Sequence, residues 1–562
     1  MMLVVSTYAH SAAEDHNIVS KGFEVSCDLC LMGAALFDGF LLRNASNEEV
    51  IRGSTEVCIG LHLEKPEVCS GTMKAYAPIV YYVIVEDELA PSEICYKLGI
   101  CSHDPNEVTV NKMVKSSEVA ESALDKVKAR LQKKPEVLTA PSQPRSETGF
   151  SGTSYILQLA DIHMDPLYTV GSEPHCGEPQ CCRTGNGTAG FWGDHSCDIP
   201  LWTVKQILSQ IVEINRTKPI SMVIWSGDNS PHDVWMMDEQ TQITAIQVMS
   251  DLIHEYFPNT IVMPSCGNHE SYPMDEFLLP QQQWLLDTLA DSWQQFLTSE
   301  EVATVKKAGY FTSVLQPGLR VVSLFTFDAD ILNFYNLLRH SNVNIRDNQT
   351  DWFINTLEQA EAHNEKVLVV GHIPCTFYPL PTNHWCRIYE AIVERFSDVI
   401  VGQFYGHTHF DQLVVFTDTA THSTATGTNY VAPSMTTYVG HDPAIRLYEF
   451  NYDTMEITNW YQYRTNITEA NISGNLTMEL AYTPIDLYQM PDLSNAAWFN
   501  LTQRFLHNDT LLDDYYFQLR SGPHTTWMEQ CDSVCRRLWY CEILGVTTEL
   551  LKQCADGKIF TN

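Results

Sequence analysis

Basic residues are scarce in this chain of 562 amino acids. Lys and Arg number 34 against 69 Asp and Glu, which leaves a formal net charge of -35. Such a charge repels a phosphate backbone and no basic cluster offsets it, so the composition excludes a nucleic-acid partner. A strongly acidic protein suits a compartment near about pH 5, where partial protonation of its carboxylates lowers the self-repulsion.

Long apolar runs are also missing. The longest, near Tyr76 to Val85, is well short of the roughly 20 residues that a membrane-spanning helix needs. We therefore expect a soluble or peripheral monomer without a transmembrane segment. Residues 1–20 contain a short apolar stretch but no positively charged region ahead of it, and we interpret them as a signal or leader remnant.

Cysteines and glycosylation sequons, in contrast, are plentiful. Seventeen cysteines together with nine Asn-x-Ser/Thr sequons indicate an oxidising and glycosylating route, so we expect a secreted and/or lysosomal glycoprotein. The sequons stand at Asn44, Asn186, Asn215, Asn348, Asn466, Asn471, Asn475, Asn500 and Asn508.

Changes in composition along the chain predict four regions. Residues 21–105 hold six cysteines within segments of helical periodicity, which predicts a small, disulfide-stapled helical domain. Residues 106–150 are charged and then Pro-rich, as in a linker. From 151 to 470 short apolar runs alternate with helical patterns, which predicts an α/β domain of stacked βαβ units, with helices on the faces of a sheet. The remainder, 471–562, has a helical pattern.

Within the α/β region, five apolar, strand-like runs each end in residues that bind metals. In open α/β sheets, ligands bind in the loops beyond the carboxyl ends of the strands, so side chains from five such loops can converge on one point. The residues at these strand ends are Asp161 and His163, Asp228, Asn268 and His269, His372, and His407 with His409.

These residue types suit two divalent cations, because Asp, Asn and His offer hard oxygens and imidazole nitrogens. A bridging carboxylate, Asp228, would hold the ions about 3.5 to 4 Å apart, and a hydroxide between them would attack phosphorus in line. Any one of these motifs occurs by chance, and a lone His after a strand is more often structural. Five motifs in order, each behind an apolar run, argue against chance.

Read together, the blocks DIH, GDN, GNHE, GHIP and GHTH resemble the calcineurin-like metallophosphatase family over about 300 residues. The resemblance implies a sheet sandwich flanked by helices. It assigns one metal to Asp161, His163, Asp228 and His409, and the other to Asp228, Asn268, His372 and His407. It also implies that His269 faces the scissile phosphate and gives a proton to the leaving oxygen. Pro231 stands where a tyrosine ligand to ferric iron would be expected, which favours two zinc ions.

Two further segments, CGEPQCCRTGNGTAGFWGDHSCDIP and GDNSPHDVW, look like those of acid sphingomyelinases and related phosphodiesterases. This resemblance implies that His232 is a second imidazole near the phosphate. It also implies two disulfides, Cys176 with Cys181 and Cys182 with Cys197. A zinc site made of these four thiolates is the alternative, and adjacent cysteines in a secreted chain favour the disulfides.

The N-terminal cysteine pattern, CxxC followed by a closing EICYKLGIC, resembles a saposin B-type domain. Family pairing joins Cys27 to Cys101, Cys30 to Cys95 and Cys58 to Cys69. An amphipathic face of such a domain would loosen lipid packing beside the site, so we expect contact with a sphingomyelin-containing membrane surface. Two alternatives remain: a folding appendage on the catalytic domain, and a redox or zinc role for the CxxC pair.

The remaining cysteines extend the likeness to acid sphingomyelinases over nearly the whole chain. Their spacing suggests pairing of Cys531 with Cys535, Cys541 with Cys554 and Cys375 with Cys386. Cys266 is left over and is expected to be a buried free thiol.

The resemblance implies that the chain is an acid sphingomyelinase, in which a hydroxide bound to two zinc ions hydrolyses sphingomyelin to ceramide and phosphocholine. Two alternatives stay open: an enzyme for nucleotides or other small phosphodiesters, and a non-enzymatic lipid-binding protein. A choline headgroup prefers aromatic faces, for which Trp235, Tyr438 and Trp385 are candidates near the motifs.

Overall fold

The computed structural model describes residues 27–97, 124–132, 143–146, 149–338, 343–376, 382–519, 521 and 532–560. Its N-terminal part is helical: α1 (Cys27–Leu42), α2 (Asn47–Gly60), α3 (Pro66–Glu86) and α4 (Pro91–Lys97). A capping box starts α2, since Ser46 and Glu49 each accept the other's backbone N–H. Disulfides join α1 to α4 through Cys30–Cys95 and α2 to α3 through Cys58–Cys69. Cys101, the expected partner of Cys27, lies outside the described residues.

Helix α3 is longer than the apolar run seen in the sequence. At 21 residues it is the one helix in the described part of the chain that is long and apolar enough to cross a membrane, although length and composition alone are weak evidence for that. Two thirds of its apolar window is buried inside the protein, as in the core helix of a folded domain. The Tyr76 hydroxyl of α3 donates a hydrogen bond to the Met274 carbonyl at 3.1 Å, and Trp235 shares the core of α3.

Two six-stranded sheets follow, which confirms the expected α/β sandwich. The first sheet consists of β1 (Thr153–Leu159), β4 (Ile220–Trp225), β5 (Ile261–Pro264), β12 (Ala444–Asn451), β13 (Glu456–Arg464) and β14 (Glu479–Tyr482). The second consists of β6 (Phe311–Gln316), β7 (Leu319–Ser323), β8 (Lys366–Val370), β9 (Ile400–Tyr405), β10 (Gln412–Thr417) and β11 (Ala425–Val431). The first has the order β14-β13-β12-β1-β4-β5, with β1, β4 and β5 parallel. The second has the order β10-β11-β9-β8-β7-β6, with β7, β8, β9 and β11 parallel.

The sheets pack face to face around a shared core. The rings of Phe404 on β9 and Tyr448 on β12 lie 4.8 Å apart, and the Gln158 amide of β1 donates to the Tyr405 carbonyl of β9 at 2.9 Å. A short pair of strands, β2 (Met164–Asp165) and β3 (Ile199–Pro200), lies beside the first sheet's loops. The helices of this region are α5 (Leu201–Asn215), α6 (Glu239–Tyr256), α7 (Gln283–Trp293), α8 (Ser299–Ala308), α9 (Val343–Ala362) and α10 (Asn383–Arg395).

Segments on either side of the predicted α/β domain also pack against it. Residues 124–131 are helical, and Leu124 and Leu131 are buried in the core beside α9 and α10. Strand β14 lies beyond the predicted boundary at residue 470 and nevertheless pairs with β13. Its pairing depends on a register that an apolar pattern of four residues does not reveal. The last helices are α11 (Ile467–Ser473), α12 (Pro484–Tyr488), α13 (Asn495–Phe505), α14 (Asp509–Leu519), α15 (Ser533–Leu544) and α16 (Thr548–Ala555).

The C-terminal helices carry a buried acid against the second sheet. Glu542 on α15 accepts a hydrogen bond from the Gln412 amide of β10 at 3.1 Å. Burial raises the pKa of Glu542 to about 8. Because this pKa lies above that of an unfolded Glu, the stability it contributes is complete below pH 4.5 and is lost as the pH rises through about 8.

We predict that Glu542→Gln stabilises the protein near neutral pH, because Gln keeps the hydrogen bond and cannot ionise. The gain should be on the order of 2 kcal/mol at pH 7 and close to zero at pH 4.5, measured as the difference in Tm between variant and wild type. Glu549→Gln, at an exposed position of α16, is the control. An equal Tm difference at both pH values would contradict the prediction.

Candidate metal centre

The loops after β1, β4, β5, β8 and β9 bring the seven expected ligand residues to one edge of the sandwich. Six of the seven are buried, and His407 is half-buried. Parallel strands place their carboxyl ends at the same edge, which explains why residues up to about 250 positions apart meet. The seven residues are Asp161, His163, Asp228, Asn268, His372, His407 and His409.

One group of donor atoms surrounds the Asn268 amide oxygen. His372 Nε2 lies 2.9 Å from Asn268 Oδ1 and 3.0 Å from Asp228 Oδ2. His407 Nδ1 lies 2.8 Å from the same Asn268 oxygen. Ligand atoms of Asp228, His372 and His407 lie within 4.8 Å of one another, a spacing that a single cation can bridge.

A second group forms on the other side of Asp228. The Nε2 atoms of His163 and His409 are 3.1 Å apart, and His409 Nε2 lies 3.8 Å from Asp161 Oδ1. His163 Nε2 lies 3.5 Å from Asp228 Oδ2, the same oxygen that approaches His372. One carboxylate therefore reaches both groups of imidazoles.

These donors fit divalent cations. Asp161 Oδ2 and His409 Nδ1 are buried without a hydrogen-bond partner among the described residues. Burial raises the pKa of Asp161 to about 8 and lowers the pKa of His163. The surrounding protein groups therefore do not by themselves stabilise the charged form of either side chain. An arrangement of carboxylate, amide oxygen and imidazole around such buried atoms is what a hard or borderline cation prefers.

Backbone groups orient the ligands. His163 Nδ1 faces the Ser230 carbonyl at 2.7 Å and His372 Nδ1 faces the Ser226 carbonyl at 2.6 Å, so Nε2 of each ring points into the site. The Glu270 carboxylate accepts backbone N–H groups of Asp228 at 3.0 Å and of Gly267 at 2.6 Å. Sequence reasoning quoted Glu270 within GNHE without assigning it this supporting role.

The ligand loops also carry backbone strain. Five of the seven residues adopt positive φ angles, which residues other than Gly rarely adopt. Such strained residues cluster at functional sites. They are Asp161 (51°), His163 (42°), Asp228 (61°), His407 (73°) and His409 (62°).

A glycine makes room for one ligand. A Cβ atom at Gly406 would lie 2.5 Å from Asp161 Oδ2. The neighbouring His407 N–H donates to Asp161 Oδ1 at 2.7 Å, so both carboxylate oxygens depend on this turn.

We predict that Gly406→Ala displaces the Asp161 carboxylate and lowers metal affinity about 10-fold. The measurement is metal retained after dialysis, by mass spectrometry, alongside Tm without metal. Gly60→Ala, at a position with open space around it, should retain metal like the wild type. Full metal retention by Gly406→Ala would show that the turn does not hold Asp161.

Two more imidazoles, His269 and His232, lie beside the ligands. Their ring centroids are 4.6 Å apart, and they lie 4.5 and 4.1 Å, respectively, from the His163 ring. The His269 backbone N–H donates to Asp228 Oδ1 at 2.9 Å. Asp198, which sequence reasoning missed, accepts from His232; the residue follows Cys197 directly, so the cysteine-rich segment was the available signal.

Of the three aromatic candidates for headgroup binding, Tyr438 touches the site. Its ring stacks on His232 at 4.1 Å. Trp385 is only 2% exposed and packs on Tyr389 in the core beneath α10. Trp235 is buried against α3, where Gly71 allows close approach of its backbone.

The disulfides of this region fix the loops around the site. Cys176 is joined to Cys181, Cys182 to Cys197, and Cys375 to Cys386, as the cysteine spacing and family pairing suggest. The first four thiols are therefore not available for the alternative zinc site. Cys541–Cys554 joins α15 to α16, whereas Cys531 lies outside the described residues together with its expected bond to Cys535. Cys266 is a buried free thiol.

Seven of the nine sequon asparagines are exposed, and Asn215 and Asn471 are half-buried. Asn215 Oδ1 accepts the Ile220 N–H at 2.7 Å. The Asn471 amide donates to the Gly193 carbonyl at 3.0 Å and accepts the Trp192 N–H at 2.8 Å. Both amides therefore serve the fold, and glycosylation at the nine positions remains a prediction.

Fold and site together define a metal-dependent phosphoesterase of the calcineurin-like type. The family model described as calcineurin-like phosphoesterase matches residues 154–411, and that of the acid sphingomyelin phosphodiesterase C-terminal region matches residues 424–560. The chain belongs to the sphingomyelin phosphodiesterase family, which confirms the expected class of phosphodiester hydrolase.

Named relatives extend the match over almost the whole chain. Sphingomyelin phosphodiesterase A of Dictyostelium discoideum is 43% identical, covering 95% of this chain and 91% of the relative. Sphingomyelin phosphodiesterase of Bos taurus is 29% identical, covering 95% and 84%. Cyclic GMP-AMP phosphodiesterase SMPDL3A of Mus musculus is 29% identical, covering 70% of this chain and 90% of the relative.

Proposed function

We propose that this chain hydrolyses sphingomyelin to ceramide and phosphocholine at the site around Asp228. The observation that carries the proposal is the complete set of seven donors in two groups that share Asp228 Oδ2. Similarity over the full length to sphingomyelin phosphodiesterases supports the substrate.

The cations would be held as two ions, one by Asp161, His163, Asp228 and His409, and the other by Asp228, Asn268, His372 and His407. When bound, they supply Lewis-acid polarisation of the phosphoryl group and an activated water. Four imidazoles, two carboxylates and an amide suit zinc, and Pro231 occupies the position where a tyrosine would favour ferric iron.

The chain's own residues would bind and orient the phosphodiester. His269 and His232 border the ligand groups, where N–H groups of imidazole would stabilise negative charge on phosphoryl oxygens. His269 is held by its backbone N–H on Asp228, so its position depends on the same carboxylate that links the two groups. Exclusion of water from this buried edge would strengthen each of these interactions, because it lowers the local dielectric constant.

The N-terminal helices would bring the site to a lipid surface as a saposin-type domain. Apolar side chains stand in solvent there, led by Leu42 at 91% exposed, with Met32, Leu61 and Val85. Such side chains lower their free energy by entering a lipid interface. One face of α3 packs on the catalytic loops through Trp235 and Met274, so the exposed side chains are the ones left for lipid.

We propose a secreted and/or lysosomal location because of the disulfides. Six disulfides join described residues in three regions of the chain, and such bonds persist in oxidising compartments. We propose a monomer, because the site is complete within one chain.

We predict zinc-dependent release of phosphocholine from sphingomyelin at pH 5, in detergent micelles and in liposomes, by the full chain made in a secretory host. ATP and cyclic GMP-AMP are assayed on the same preparation. A chelator should abolish turnover, and restored zinc should return it, because the seven donors converge in two groups around Asp228 that the cations would complete.

Each outcome separates the candidate functions. Turnover of ATP or the cyclic dinucleotide without sphingomyelin turnover would replace the proposal by a soluble phosphodiester substrate. No turnover by zinc-loaded, folded protein would leave a lipid-binding protein as the remaining candidate.

We predict that Leu42→Ser slows the hydrolysis of sphingomyelin in liposomes several-fold and leaves the rate in detergent micelles unchanged. A variant that matches the wild-type rate in liposomes as well as in micelles would show that the exposed helices do not take part in membrane binding.

A further inference from the structure

Asp198 is a buried carboxylate held at the rim of the site by the cysteine-rich segment. It directly follows Cys197, which is bonded to Cys182, and it directly precedes β3. The carboxylate accepts the His232 backbone N–H at 2.7 Å and lies 2.9 Å from His232 Nδ1. The Thr436 hydroxyl donates to it at 3.0 Å.

These contacts fix the His232 ring in one orientation. Because the Nδ1–H group donates a hydrogen bond to Asp198, Nε2 is the nitrogen left to meet a substrate. Tyr438 stacks on one face of the ring, and its own hydroxyl is anchored on the Pro179 carbonyl at 2.9 Å. A buried carboxylate on Nδ1 holds the ring in this orientation, as in Asp–His pairs of hydrolases.

His232 is placed where a leaving group would pass. A ring nitrogen of His232 lies within 4.8 Å of ring nitrogens of His163 and His409. The His232 side chain is 17% exposed, against 9% for His409 and none for His163. The ring thus borders the group of His163 and His409 on the solvent side, from which a lipid headgroup would enter.

His269, the proton donor expected from the sequence, lacks such a partner. Its backbone N–H is bonded to Asp228, and its ring makes no hydrogen bond to a described residue. It borders His163 and His232 through ring contacts alone. Of the two imidazoles, His232 is therefore the one with a carboxylate to orient it.

We propose that Asp198 is the positioning residue for proton transfer, presenting His232 Nε2 to the leaving oxygen; this rests on the proposed hydrolysis. A water oxygen forms a bond to phosphorus while the bond from phosphorus to the ceramide oxygen breaks. The ceramide oxygen keeps the electron pair and takes the proton from Nε2, giving ceramide as the alcohol. The proton lost by water passes to solvent, from which His232 is protonated again.

The dependence of the rate on the leaving group tests this role. Sphingomyelin in micelles releases an alkoxide that needs a proton, whereas 4-nitrophenyl phosphocholine releases a phenolate that does not. Asp198→Ala should lower kcat about 100-fold for sphingomyelin and less than about 5-fold for the nitrophenyl ester, with a small change in KM. Asp198→Asn, which keeps one acceptor for Nδ1, should recover part of the loss.

Thr437→Val is the matched control, since Thr437 bonds the Cys197 carbonyl of the same loop at 2.6 Å without touching His232. Any loss it causes should be equal for the two esters. His232→Gln should show the same leaving-group selectivity as Asp198→Ala, and the double variant should lose no more than His232→Gln alone. The single His232 variant keeps the test valid if Asp198→Ala does not fold.

Equal losses on both esters in Asp198→Ala and His232→Gln would reduce the pair to a structural clamp and overturn the inference. A selective loss on sphingomyelin in His269→Gln, with none in His232→Gln, would assign the proton to His269. Failure of the proposed function itself is recognised beforehand, because the wild-type chain would then release no phosphocholine from sphingomyelin, whatever its rate on the nitrophenyl ester.

Discussion

The Asp228 carboxylate is the constraint on which the rest of the site depends. One of its oxygens lies between the two groups of imidazoles, and the other holds the His269 backbone. A buried, doubly contacted carboxylate is stable only beside compensating positive charge. The backbone at Asp228 is strained, and Glu270 accepts hydrogen bonds from the backbone N–H groups around it. The fold therefore tolerates a cost in stability to hold this carboxylate in place.

The sequence could single out the seven candidate ligand residues because their signal is local. Each follows an apolar strand by two to four residues, and the parallel strands of the two sheets bring those strand ends together. The alternation of strands and helices predicted an α/β domain, and the family resemblance implied its sandwich of sheets. The pairing of Cys182 with Cys197 was implied by the family resemblance of one short, cysteine-rich segment.

What the sequence did not reveal depends on contacts between distant segments. Asp198 is one of many acidic residues in an acidic chain, and its contact with His232 appears only in the folded structure, where it directly precedes β3. Strand β14 is too short for its pattern to predict a place in the first sheet. The packing of α3 on Trp235 requires a glycine at position 71. In the sequence, a glycine within a helical pattern indicates only low helix propensity and does not reveal a close contact.

The count of metal ions per chain in wild type and in Asp228→Asn tests the central claim most directly. Protein purified without chelator is measured by mass spectrometry, with Asp287→Asn, at a half-buried position of α7 outside the donor groups, as the control. We predict two zinc ions in the wild type and the control, and fewer than one in Asp228→Asn. The amide of Asn is uncharged and therefore cannot replace the negative carboxylate between two cations. Two ions retained by Asp228→Asn, or one ion in the wild type, would contradict a shared carboxylate.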